Sequence, residues 1–315
     1  MKKIPKCAVS LALLMSACGG DVVREPEQTS STPLPLSSRS LLSKQYTFQV
    51  FDVPGAFRTV PTAINDLGVV TGRSKAAGAS FEGFIRDRNG GLTAFTATPD
   101  SAYTLPSGIN DLGVLVGTFA DPAGLQHGFV RRPSGEITRV DFNFSGLVDS
   151  SLGSLNNRGD LVGGYDLGDT NTVIGVLIEG GKTTVLPDAP GAVPMQTFAY
   201  TINDSRVIAG TFVGTDGLDH GYLLRGSQFT TIDYPGATGG TDVTGMNDLG
   251  WIAGTSDDGA FVLDTNTNAI SLVNCPGLSF AAANGINNLG QVIGACWNAG
   301  GPFHGFIATP QRAEE

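Results

Sequence analysis

The sequence predicts an all-β chain: a six-bladed β-propeller of four-stranded blades, closed by the N-terminal strand pairing into the last blade. Three observations predict it. The stretch Thr62–Gly72, TAINDLGVVTG, recurs as NDLGVLVG at Asn110, NNRGDLVG at Asn156, NDSRVIAG at Asn203, NDLGWIAG at Asn247 and NNLGQVIG at Asn287. The leading asparagines, Asn65 first, step by 45, 46, 47, 44 and 40 residues, the spacing of repeat arrays and propellers. Glycine is abundant, 44 of 315 residues, and apolar residues never line up at a helical period, which favours strands and turns. Finally, the sixth repeat lacks its last strand, and an unmatched strand stands before the first.

Taken in order, residues 1–17 read MKKIPKCAVSLALLMSA. Lys2, Lys3 and Lys6 make a positive start, and Cys7–Met15 is an apolar run too short to span a bilayer. With Met15-Ser16-Ala17 before Cys18, the segment resembles a lipoprotein signal peptide. The resemblance implies lipidation at Cys18, and Met15 stands where that pattern usually has Leu. Gly19 rather than Asp favours the outer membrane or cell surface. Residues 18–44 are rich in Ser, Thr, Pro and Glu without periodicity and read as a disordered tether. The propeller is expected over 45–310, with a short tail at 311–315.

Within a repeat, the position before the Asn is always apolar (Ile64, Ile109, Leu155, Ile202, Met246, Ile286), and the one before that is small (Ala63, Gly108, Ser154, Thr201, Gly245, Gly285). Small residues are expected where sheets crowd near an axis. Between the first two strands lies N-[DN]-x-G, the chemistry of a tight turn with a left-handed residue at its end. Arg206 replaces the Gly in the fourth copy. A third strand starts at Glu82, His127, Ile174, His220, Gly259 and His304, and a fourth runs into a Pro-Gly turn at Asp188, Asp233 and Asn274. The chain nearly ends at His304–Ile307, while Gln45–Ala56 supplies a fourth strand with its own DVPGA turn. The N-terminal strand therefore completes the C-terminal unit, which leaves only protected edges.

The ordered succession of INxxGxxxG, H-[AG]-F-[IV] and IDxPGA over residues 46–308 resembles the bacterial extracellular HAF-repeat family. The resemblance implies an exported β-rich repeat protein and supplies no activity.

The net charge is −10; without Lys2, Lys3 and Lys6 the chain keeps 16 basic residues against 29 acidic ones, or −13. Such a surface repels phosphate backbones and excludes nucleic acid as a natural partner. No nucleophile motif, phosphate loop or paired-carboxylate signature stands out, so no catalytic residue is assigned. His127, His220 and His304 occupy equivalent places in separate units, which makes them caps of the third strand rather than a metal cluster. Asp166, Asp169, Asp216, Asp219, Asp257 and Asp258 gather in the loops after the second strand and form a candidate ligand face, for calcium or a polar ligand such as a glycan. Cys275 and Cys296 fall in adjacent units on one face, which predicts a disulfide in an oxidising compartment.

The resulting expectation is a monomeric, lipid-anchored binding or scaffold module of the bacterial cell envelope. Its membrane contact runs through Cys18, with a glycan or protein as ligand and no cofactor beyond a calcium ion. The alternative is a secreted polysaccharide hydrolase or lyase with a pocket on the loop face.

Overall fold

The computed structural model describes residues 45–142, 149–166 and 172–311. The expected signal peptide, Cys18, the tether, Asp169 and residues 312–315 of the tail lie outside them. The described residues form 24 strands and no helix, arranged as a β-propeller of four-stranded antiparallel blades.

Unit one is Arg58–Ile64, Val70–Lys75, Glu82–Arg86 and Leu92–Phe95, paired in that order. Units two to five repeat the meander from inner strands Tyr103–Ile109, Asp149–Leu155, Ala192–Ile202 and Asp242–Met246. In unit six, strands Phe280–Ile286, Val292–Trp297 and His304–Pro310 are completed by Tyr46–Phe51, antiparallel to the last of them from Tyr46↔Pro310 to Phe51↔Gly305. His304 Nδ1 lies 3.0 Å from Asp52 and fastens this closing strand.

The sheet count departs from the expected six separate blades. Four sheets of four strands stand alone, and the strands of units three and four form one sheet of eight. The inner strand of unit four causes the merger. It runs for 11 residues, and Met195, at φ 58°, turns its first half so that Gln196 pairs in parallel with Val173 of unit three.

The repeated turn explains how the units are held together. Each leading Asn is buried, and its Oδ1 accepts a backbone N–H of its own turn, as from Val69 to Asn65 at 2.9 Å. Its Nδ2 donates to the carbonyl of the next Asn: Asn65 to Asn110, then Asn156, Asn203, Asn247 and Asn287. Asn287 donates back to Asn65 at 3.0 Å, so the chain of bonds is a closed ring.

A second ring runs through the following residue. The N–H of Asp66 donates to Asp111, and the series continues through Asn157, Asp204, Asp248 and Asn288 back to Asp66, at 2.7–2.8 Å throughout. Asn157 and Asn288 hold opposite places in it. The Nδ2 of Asn157 donates to both Asp111 and Asp204, and that of Asn288 to both Asp66 and Asp248. Four carboxylates thus share a ring because two amides stand between them.

The left-handed turn position is Gly at 68, 113, 159, 250 and 290 (φ 74–83°) and Arg206 (φ 60°). The last Gly of the motif has a different reason. Gly72 pairs across the sheet with Phe84, and an added Cβ would lie 2.7 Å from that ring. Gly117 meets Phe129 in the same way. These third-strand aromatics are wholly buried and form much of the core between neighbouring units. A buried side chain of this size contributes about 1.5–3 kcal/mol.

Cys275 and Cys296 are joined in a disulfide, Cα–Cα 6.3 Å, tying the outer turn of unit five to the second strand of unit six. The separation of 21 residues implies a stabilisation of about 3 kcal/mol. Mass spectrometry without reduction should find no alkylatable thiol at either cysteine, and the Cys275→Ala/Cys296→Ala pair should lose about that much in urea unfolding.

Asn288→Ala removes both N–H donors of the amide and the oxygen that accepts from Asp248 N, and should cost about 1 kcal/mol. Asn288→Asp removes the same donors and adds a carboxylate beside two others, so it should cost more; urea unfolding of the two variants at neutral pH checks the order.

Candidate functional site

Each inner strand carries a β-bulge at the same place, three residues before the leading Asn. The register slips between Pro61 and Ala63, Pro106 and Gly108, Leu152 and Ser154, Ala199 and Thr201, Val243 and Gly245, and Ala283 and Gly285. A bulge leaves one residue unpaired and re-aims it. The six residues so freed are Thr62, Ser107, Gly153, Tyr200, Thr244 and Asn284, and all six line one axial cavity of about 330 Å³. That volume lies at the small end of ligand sites. The opposite, turn end holds only a shallow depression of about 80 Å³, rimmed by the two hydrogen-bonded rings.

Four of the six also bind the next unit. Thr62 Oγ1 donates to Pro106 O (2.8 Å), Ser107 Oγ to Leu152 O (2.6 Å), Thr244 Oγ1 to Ala283 O (2.7 Å) and Asn284 Nδ2 to Pro61 O (2.7 Å). Gly153 and Tyr200, in adjacent units, break the pattern. A Cβ on Gly153 would lie 2.8 Å from Ala199 O, so glycine lets the unit that carries Tyr200 approach. Tyr200 stacks on Phe198, ring centroids 5.9 Å apart. Burial, and then the charges of Asp242 and Asp219, raise its phenol far above the ordinary range and keep it protonated.

The remaining wall is polarised. Arg73 enters from unit one, where the matching residues of other units are Thr118, Gly164, Thr211, Thr255 and Ala295. Burial and then the neighbouring Arg58 push its guanidinium down to about 10, still protonated at neutral pH. Asp166, Asp219 and Asp242 line the cavity from units three, four and five. Burial raises the Asp219 carboxyl, against the opposing effect of His220.

The structure describes five of the six expected aspartates and places them differently. Asp166 and Asp219 line the cavity. Asp216 faces His220 Nε2 at 3.2 Å. Asp257 accepts from Thr238 N, Thr238 Oγ1 and Gly239 N at 2.7–2.8 Å, which hold it below the usual carboxylate range. Burial, and then the nearby Asp258, raise the Tyr234 phenol. Asp216 and Asp257 are spent on loop structure, as Asx-type capping predicts. Among the described residues no three or more His, Cys, Asp or Glu side chains gather where they could hold a metal ion.

The histidines have partners that the sequence reading missed. Nδ1 of His127, His220 and His304 meets Asp141 (2.9 Å), Asp233 (2.8 Å) and Asp52 (3.0 Å), each on the outer strand or its turn. The H-G-F and IDxPGA motifs are thus one physical unit. The bulge residues were also missed. Their signal is in the sequence: three positions before the Asn, the copies read Thr, Ser, Gly, Tyr, Thr and Asn, chemically mixed beside two uniform columns.

The chain matches no protein-family model and no curated protein sequence. Among solved structures it is similar to a gluconolactonase from Xanthomonas campestris, with a TM-score of 0.52, 10% identity, and 87% of this chain and 94% of that one covered. It is also similar to TolB from Acinetobacter baumannii, with a TM-score of 0.51, 11% identity, and 80% of this chain and 63% of that one covered. Virginiamycin B lyase from Staphylococcus aureus aligns at 0.47 and 13% identity, over 84% of this chain and 99% of that one. At these identities the first two likenesses show the propeller fold alone.

Burial alone would lower the pKa of His220, but its hydrogen bonds to Asp233 and Asp216 outweigh this and raise it. The ion pairs therefore contribute fully below the unfolded value of about 6.5 and fade as pH rises through the higher folded value. The melting-temperature gap between the wild type and His220→Gln should be wider at pH 6 than at pH 9.

Proposed function

We propose that this chain is an exported, lipid-anchored binding module of the bacterial cell envelope whose ligand occupies the axial cavity on the loop face. One observation carries the binding reading: all six inner strands use a bulge to turn one residue, five side chains and Gly153, to the same cavity, at a position where the repeats differ in chemistry. Scaffold positions in this chain repeat; these do not. Convergent polar groups in a partly apolar concavity are the ordinary makings of a small-ligand site.

Export and anchoring rest on the basic start, the short apolar run and Met15-Ser16-Ala17-Cys18. The disulfide supports an oxidising compartment, and the resemblance to exported HAF repeats points the same way. We count the blades as six. The eight-stranded sheet is then two four-stranded meanders joined by the single pair Val173–Gln196, and both hydrogen-bonded rings have six members.

The hydrolase or lyase alternative draws on Asp219, whose raised pKa suits proton donation. It would need a second group placed to act with it, and the binding reading requires none.

A thermal-shift screen of small polar metabolites against the full chain tests the proposal. Ligands that raise the melting temperature of the wild type should lose at least tenfold in affinity for Arg73→Gln, whose circular dichroism should be unchanged. Ligands indifferent to both Arg73→Gln and Asp219→Asn would place the site elsewhere.

A further inference from the structure

The axial cavity is electrically lopsided, and its two charged sides stand across the ring from each other. The hydrogen-bonded rings fix the order of the units, so unit one faces unit four across the axis. Unit one supplies Arg73. Behind it stand Arg58 and Lys75, which pair with each other across the same two strands, as Arg73 pairs with Val60. Cross-strand partners share a face of the sheet, so three cations lie on one face of one blade.

All three cations lie over rings. Arg58 lies 4.5 Å above the Phe303 ring, which also stacks on Trp297 at 4.5 Å, and Lys75 and Arg73 lie 4.8 and 5.5 Å from the Phe81 ring. Neither Arg58 nor Lys75 forms an ion pair among the described residues. Arg58 and Lys75 face each other without a counterion, which is costly in a chain of net charge −10, where acidic partners are plentiful. Such local conflicts concentrate at functional sites.

The facing wall has the opposite character. Asp219 of unit four is half-buried at the cavity and makes no ion pair and no side-chain hydrogen bond among the described residues. Asp242 of unit five lies on the same side. Between the charged walls, Leu105, Leu152, Phe198 and Val213 line the cavity beside the bulge residues, four of which already donate to a neighbouring carbonyl. A hydroxyl-rich sugar would leave the four apolar side chains unmatched, and a simple anion would leave Asp219 without a partner.

We propose that the axial cavity binds a short zwitterionic peptide with apolar side chains, its carboxylate at Arg73 and its free ammonium at Asp219. This rests on the reading of the cavity as the ligand site and names the ligand's class. Charge complementarity at both ends sets the orientation of the peptide. The apolar walls take its side chains.

Calorimetry on the full chain at low salt tests this with L-leucyl-L-leucine, its N-acetyl form and its C-terminal amide. The free dipeptide should bind, and each capped form should bind at least tenfold more weakly. Asp219→Asn should abolish the penalty for N-acetylation and keep the penalty for amidation; Arg73→Gln should do the reverse. Arg58→Gln, outside the cavity lining, should weaken the free dipeptide several-fold and flatten its salt dependence. Equal binding of capped and free forms would overturn the inference. So would failure of the dipeptide where a hexuronate binds in an Arg73-dependent manner, an outcome that leaves the cavity as a ligand site. If neither probe binds and cavity substitutions change no ligand found by the thermal screen, both readings fall.

Discussion

The fold depends on what one asparagine side chain can do twice. Its Oδ1 closes the turn to which it belongs, and its Nδ2 fastens that turn to the next unit. Aspartate could do the first and not the second, since an ionised carboxylate donates no hydrogen bond. Glutamine has the groups but a longer stem. At Asn287 the donor reaches Asn65, some 222 residues away. The last turn is thereby bound to the first, and the angle of every unit is set by its neighbours. This closure sits at one end of the axis; the pairing of Tyr46–Phe51 with His304–Pro310 closes the outer rim. The cavity lies inside both, so its six bulge residues are held on a rigid frame.

Departures from the repeat come in neighbouring pairs, each offsetting the other. Arg206 in a left-handed conformation costs roughly 1 kcal/mol relative to glycine. It bonds Asp160 of the preceding unit and Glu179 at 2.8 Å each. An exposed ion pair would recover little, but the Asp160 side chain is only 5% exposed and would otherwise be a buried charge with only the Asn156 amide to satisfy it. Gly153 and Tyr200 are a second such pair, one making room for the other. Where the third strand starts at Gly259, the outer turn carries Asn274 rather than an aspartate; the unit that starts at Ile174 keeps Asp188, which accepts from Met195 N instead.

Much of the fold was legible in the sequence because it is set by periodic, local constraints. The apolar column at Ile64 and its equivalents, the left-handed Gly68 column and the strand missing from the last unit each follow from rules that act within one hairpin or one sheet. The disulfide followed from topology, since two cysteines in adjacent units shared a face. The merging of units three and four was not legible, because it depends on a single kink at Met195 and one parallel pair. The site was only half legible. Acidic residues were read as a face because they share loops, yet Asp216 and Asp257 satisfy backbone and histidine donors nearby. No local rule distinguishes a carboxylate that caps its own loop from one aimed at the axis. The bulge column was visible as chemical variety, but its direction depends on a register slip that sequence does not display.

The symmetry of the frame bears on what the cavity can recognise. Six equal units would present six equal side chains to the axis, and such a ring suits a ligand that looks alike from every side, such as a spherical ion. The observed column mixes hydroxyls, an amide, a phenol and a glycine, with a guanidinium entering from one unit and carboxylates from the far side. Every one of these choices lowers the symmetry. The scaffold keeps its turns, apolar columns and aromatic–glycine pairs nearly constant because each is shared with a neighbour, and a change in one must be matched in the other. A bulge residue has no partner directly across the sheet, so it can change while the ladder on either side stays intact. That freedom places the diversity at the axis. A frame built from repeats thereby acquires a site with a distinguishable front and back, which an asymmetric molecule needs in order to be held in one orientation.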